Sequence, residues 1–148
     1  MIQCRWAIFV LLLMPLAAQA AEPADSRQAV AVTAAEKAYI LEQMRLFIGS
    51  IQTIAEGLST GDNAKVAEAA AARGRRANAN DPHFPAGLGA KLPPLWKQMG
   101  GGIRGGFDEL ADAAKSGAPK EKSLGILAAT MRNCVACHQS FRLVDVDH

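Results

Sequence analysis

The sequence lacks a strong excess of either charge, has few cysteines and carries few signs of β structure. Lysine and arginine number 16 and acidic residues 14, a formal net charge of +2. A chain this close to neutral offers no electrostatic footing for nucleic acid or for an acidic membrane surface. Apart from the extreme N-terminus, no apolar run approaches the roughly 20 residues needed to cross a bilayer. No stretch sustains the alternation that marks a half-buried strand, so no sheet is expected. No repeat of fixed period is present. Cysteine occurs three times, as Cys4, Cys134 and Cys137.

The N-terminus has the three parts of a secretory signal peptide. Met1 to Arg5 are weakly basic, Trp6 to Leu16 are apolar, and Ala18-Gln19-Ala20 reads as an A-x-A cleavage site. Cleavage after Ala20 implies export to the periplasm and no stable membrane insertion of the remainder. Cys4 precedes the apolar run, which argues against lipid attachment there. Residues 1–20 contain Arg5 and no acid, so residues 21–148 keep a formal charge of +1. Their length suits a single domain with one core. They retain only Cys134 and Cys137, and so have no thiol for a long-range disulfide, although export would permit one.

Four helices are expected. Residues 21–32 read as a flexible lead-in. Thr33 and Glu36 match a capping box, and Ile40, Leu41, Met44, Phe47, Ile48, Ile51, Ile54 and Leu58 recur at helical spacing over residues 33–58. Asp62 can cap a second, alanine-rich helix over residues 62–80. Arg73, Arg75 and Arg76 near its end suit the helix dipole and are expected in water. Prolines and glycines mark a loop over residues 79–94, long enough to suggest function. A third helix over residues 94–115 carries Leu95, Trp96, Met99, Ile103, Phe107, Leu110 and Ala114. It also carries Gly100, Gly101, Gly102, Gly105 and Gly106, each costing up to about 1 kcal/mol in a helix interior. Such a helix needs packing to hold it, and its glycines would admit another helix or a flat ligand. Ser116 to Pro119 form a turn. A fourth helix over residues 120–142 aligns Leu124, Leu127, Met131, Cys134, Val135, His138 and Phe141, followed by a polar tail at 143–148. The predicted fold is an all-α, antiparallel four-helix bundle.

Cys134-Val135-Ala136-Cys137-His138 is C-x-x-C-H, the attachment pattern for c-type haem. Residues three and four apart share one helical face. Both thiols can therefore form thioethers along one edge of a porphyrin, with the His138 imidazole in reach of the iron. One covalent haem c is the expected cofactor. A zinc site would need two further ligands, and neither His83 nor His148 has the paired spacing. A thioredoxin-like C-x-x-C needs a βαβ setting, and a simple disulfide is the remaining alternative.

The sixth iron ligand decides function. A methionine thioether there favours electron transfer and raises the reduction potential, whereas an empty apolar face favours small gases. Met44, on the apolar stripe of the first helix, is the leading candidate, although such a methionine also serves as core filling. Met99, His83 and no ligand at all are the alternatives. Leu41, one turn before Met44, would block the face and leave a five-coordinate iron.

The motif continues as His138-Gln139-Ser140-Phe141-Arg142. C-x-x-C-H-x-x-[FY]-R at the end of a four-helix bundle resembles the cytochrome c′ group, the class II cytochromes c. Met44-Arg45 is similar to the methionine-plus-base pair of the low-spin, methionine-ligated members, and Leu92 to Trp96 with Phe107 also resembles the group. The resemblance covers most of residues 33–142. It implies His138 as proximal ligand, Met44 as distal ligand, Arg142 close to the proximal side, and a homodimer through the first two helices. Arg142 lies one turn beyond His138, where its charge could meet a haem carboxylate or simply a helix C-terminus. Redox proteins are the expected partners, with a gas-binding cytochrome such as an NO or CO carrier as the alternative. A peroxidase-like enzyme is disfavoured, since no distal acid–base pair is identifiable.

Overall fold

A computed structural model of the chain describes residues 25–146. The expected signal peptide at 1–20, Cys4 and His148 lie outside the described residues. The fold is mostly helical, with one small sheet. Strand β1 (Gln28–Val32) leads into helix α1 (Ala34–Thr60). Helices α2 (Asn63–Ala71), α3 (Arg75–Asn78), α4 (Leu88–Lys91), α5 (Pro94–Lys115) and α6 (Lys120–Ser140) follow, and strand β2 (Phe141–Asp145) closes the chain.

Local chemistry explains most helix ends. The capping box at Thr33 and Glu36 is present in both directions. Glu36 also reaches Lys91, whose Nζ lies 2.7 Å from its carboxylate. Gly61 ends α1 in a left-handed conformation, with φ of 72°. Asp62 then caps α2 by accepting from the Lys65 backbone N–H at 2.9 Å.

The second expected helix is broken. Gly74 adopts an extended conformation, and a Cβ there would collide with the Asp108 carboxylate of α5. That carboxylate accepts from the Arg75 N–H at 2.9 Å and so starts α3 afresh. Arg75 and Arg76 are exposed but not simply solvated. Arg75 donates to the Gly101 carbonyl oxygen, and Arg76 pairs with Asp108 and Asp112.

The expectations of no sheet, a flexible lead-in and a polar tail are corrected. β1 and β2 pair in parallel, with Gln28 opposite Phe141 and Val32 opposite Asp145. Val30 and Val32 point inward and Ala29 and Ala31 outward, a two-residue period compressed into five positions. Parallel strands need a long crossover, and here all the helices supply it.

The main helix contacts run from α1 to α2, from α2 to α5 and from α5 to α6. Their core centres on Phe47, stacked on Phe107 with ring centroids 5.6 Å apart, together with Ile54, Val66, Leu110 and Leu127. A second apolar cluster joins Val30, Val32, Ile40, Leu88 and Phe141. The sheet thus seals one end of the helical core.

The buried face of α6 differs from the expected stripe. Ser123, Leu127 and Thr130 are buried and Cys134 and Cys137 half-buried, whereas Leu124, Met131, Val135 and His138 are exposed. The glycines of α5 supply the reason. A Cβ on Gly106 would collide with Thr130, and one on Gly102 would press on Asn133 at 3.1 Å. Small α6 residues can seat there against bare backbone; large apolar ones cannot.

Candidate functional site

A cavity of about 610 Å³ opens between α1, the 78–92 segment, α5 and the end of α6. Ligand pockets commonly measure about 300–1,000 Å³. From α1 come Tyr39, Ile40, Gln43, Met44 and Phe47; from the long loop and α4 come Asp81, Phe84, Leu88 and Leu92. Helix α5 contributes Trp96, Lys97, Gly100, Gly101, Ile103 and Arg104, and α6 contributes Cys137. The loop expected to be functional therefore forms a wall.

Met44 and Cys137 line the same cavity, although they lie near opposite ends of the chain. Met44 is half-buried and touches both apolar clusters. Both cysteines are free thiols. Cys134 packs on the helical core and Cys137 on the cluster beside the sheet. Burial pushes both thiols above their ordinary pKa, so at neutral pH they stay protonated.

His138 is exposed and is not in the cavity lining. Its backbone oxygen accepts from Arg27 at 3.3 Å. Arg142, at the second position of β2, has a buried Nε with no hydrogen-bond partner among the described residues. An Asp25 carboxylate oxygen stands 3.8 Å from that Nε.

The rival positions separate clearly. Leu41 is 42% exposed and outside the lining. His83 is exposed, and its backbone N–H donates to Asp81. Met99 packs beside the second cluster without lining the cavity.

The cavity also gathers polar groups that no sequence pattern had marked. Tyr39 donates to Asp81 Oδ2 at 2.7 Å, and burial together with that carboxylate pushes its pKa up to about 12. Asp81 is lowered by the same bond. Arg104 is half-buried, stands 5.3 Å above the Phe47 ring and donates to Gln43 Oε1 at 3.1 Å. Burial lowers its pKa. Only the scarcity of tyrosine, one in the chain, could have drawn attention to any of these residues.

Gly100 and Gly101 form part of the α5 wall, and a Cβ at either would meet open space. At those two positions the wall is bare backbone. Among the described residues, no three His, Cys, Asp or Glu side chains converge to hold a metal ion, and no helix is long and apolar enough to cross a membrane.

Compared with known proteins, the chain matches no family model, and no curated protein or solved structure is significantly similar to it.

Proposed function

We propose that residues 21–148 are an exported, mono-haem c-type cytochrome that carries electrons in the periplasm. In this reading the helices form an antiparallel four-helix bundle like that of the cytochrome c′ group. Cys134 and Cys137 hold haem c through thioethers, His138 is the proximal ligand and Met44 the distal one. The observation that carries the reading is the meeting of Cys137 and Met44 on one cavity wall system.

The residues fit such a group in three further ways. The cavity has apolar and aromatic walls and a bare Gly100–Gly101 side, which suits a flat ligand. The thiols are unpaired and half-buried, as attachment requires. The Arg142 Nε, which has no hydrogen-bond partner among the described residues, would gain an acceptor from a haem carboxylate.

When bound, haem iron supplies the one-electron chemistry. The chain's own work is to place and tune it. Cys134 and Cys137 would hold the group covalently and so keep it from dissociating. His138 adjoins Cys137 in sequence and would supply the imidazole ligand, although its side chain is exposed and outside the cavity lining. The Met44 thioether, drawn from α1, would stabilise the reduced state. The aromatic and aliphatic parts of the wall would raise the cost of adding charge to a group packed against them. Redox proteins are the partners. Leu41, Leu46 and Ile48 give α1 exposed apolar surface for a homodimer.

A second reading is a gas-binding cytochrome with an open distal face. The open space beside Gly100 and Gly101 favours it; the exposure of Leu41 disfavours the version in which that residue blocks the iron. The ferric visible spectrum decides. Methionine ligation gives a low-spin haem with a sulfur-to-iron charge-transfer band that vanishes in Met44→Ala. A five-coordinate, high-spin spectrum in the unmutated protein removes Met44 and favours gas binding. Haem staining after denaturing electrophoresis tests attachment; it must be lost when both Cys134 and Cys137 become alanine.

A further inference from the structure

Along α5, Lys97, the Gly100–Gly101 pair and Arg104 follow one another at steps of three or four, and all line the cavity. The cavity therefore has a floor of bare backbone with a cation at each end. The two cations are not equivalent. Lys97 is exposed, whereas Arg104 is half-buried over the Phe47 ring.

Arg104 is short of acceptors. Its side chain donates to the Gln43 amide oxygen and, at 3.4 Å, to the Arg73 backbone oxygen. Among the described residues it has no carboxylate within ion-pair distance. A guanidinium has five N–H donors in a planar fork that matches a carboxylate. Removing that charge from water without an anion is costly. The other charged or titratable groups around it are Arg73, Tyr39 and Asp81. Asp81 is already engaged by the Tyr39 hydroxyl and the His83 N–H.

We propose that Arg104 is the carboxylate-binding residue of this cavity: a planar ligand lying along the Gly100–Gly101 floor sets a carboxylate against its guanidinium. This deepens the haem reading, in which the carboxylate is one of the haem's own. It also has a form independent of haem, in which the carboxylate belongs to a free planar aromatic acid. Phe47, Trp96 and Phe84 give either ligand aromatic walls.

Haem staining of the purified chain first assigns the source. In a chain that stains, the reduction potential is titrated from pH 5 to 8 for the unmutated protein, Arg104→Gln and Arg104→Lys. Arg104 holds its carboxylate ionised, so the unmutated potential is flat. In Arg104→Gln the carboxylate titrates within the range and the potential falls as pH rises; Arg104→Lys restores the flat profile. Coincident profiles in all three folded proteins overturn the proposal, while the haem reading survives on the stain. In a chain that does not stain, the probe is 2-naphthoate, with neutral 2-naphthol as control. Arg104→Gln weakens naphthoate binding at least tenfold and leaves naphthol unchanged. Equal loss for both probes, or no naphthoate binding by the unmutated chain, overturns the proposal. Circular dichroism of each variant establishes that it is folded before either comparison.

Discussion

The Oγ1 of Thr130, on α6, stands where a Cβ of Gly106, on α5, would have to be. Thr130 is buried and its hydroxyl donates back to the Ile126 carbonyl at 2.9 Å. Neither partner can retreat easily. Gly106→Ala is therefore expected to destabilise by about 1–3 kcal/mol, the usual cost of overpacking. Gly49→Ala is the matched control, since Gly49 lies in α1 with open space around it. It should stabilise by roughly 0.5–1 kcal/mol through helix propensity. Urea denaturation of the two variants checks the opposite signs; equal shifts would show that the α5–α6 contact is looser than the geometry requires.

The single tyrosine allows an unambiguous titration. Tyr39 is half-buried against the cavity and donates to Asp81, and desolvation together with that carboxylate pushes its pKa up to about 12. An ultraviolet difference titration should place the tyrosinate transition near that value. Asp81→Asn removes the carboxylate and leaves only burial, so the transition should move down toward the ordinary tyrosine value of about 10. An unchanged midpoint would mean that Asp81 does not engage the hydroxyl.

Glu36 links the start of α1 to α4. Its carboxylate accepts from the Thr33 N–H at 2.8 Å and pairs with Lys91, and these partners lower its pKa, Lys91 most. A group lowered on folding contributes stability above its unfolded pKa and loses it as pH falls through the folded value. Glu36→Gln should thus lower the melting temperature at pH 7. The gap to the unmutated protein should narrow steadily below about pH 4, where an unfolded glutamate protonates. Melting curves at several pH values check this, and a gap that widens in acid would contradict it.

The two strands should open as one unit. Val32 is fully buried and lies opposite Asp145 in the register. Val32→Asp puts an unpaired charge into the second apolar cluster. Amide exchange in both 28–32 and 141–145 should then accelerate together by more than about tenfold, the factor corresponding to 1.4 kcal/mol. Acceleration in the first segment alone would show that β2 is held without its partner.

Much of the helical layout was legible because helix ends are written in neighbouring residues. The Thr33–Glu36 capping box, the Asp62 cap and the 116–119 turn all close hydrogen bonds within a few positions. The break at Gly74 was not legible, because the group that causes it, Asp108, comes from another helix. The sheet was missed for a related reason. Five residues with two valines form a weak alternating signal, and the partner strand lies at the far end of the described chain.

The site divides along the same line. The spacing of Cys134, Cys137 and His138, and the presence of Met44 on an apolar stripe, are properties of the sequence alone, since helical periodicity dictates which neighbours share a face. The sequence also determined that α5 would carry five glycines, but not what each was for. Tertiary packing decided that Gly102 and Gly106 meet α6 while Gly100 and Gly101 border open space. It decided that Met44, Cys137 and Arg104 line one cavity and that Arg104 has no acid partner among the described residues. The reason is physical: a hydrogen bond along one helix depends on residues a turn apart, whereas a cavity exists only where several distant segments fail to fill the space between them.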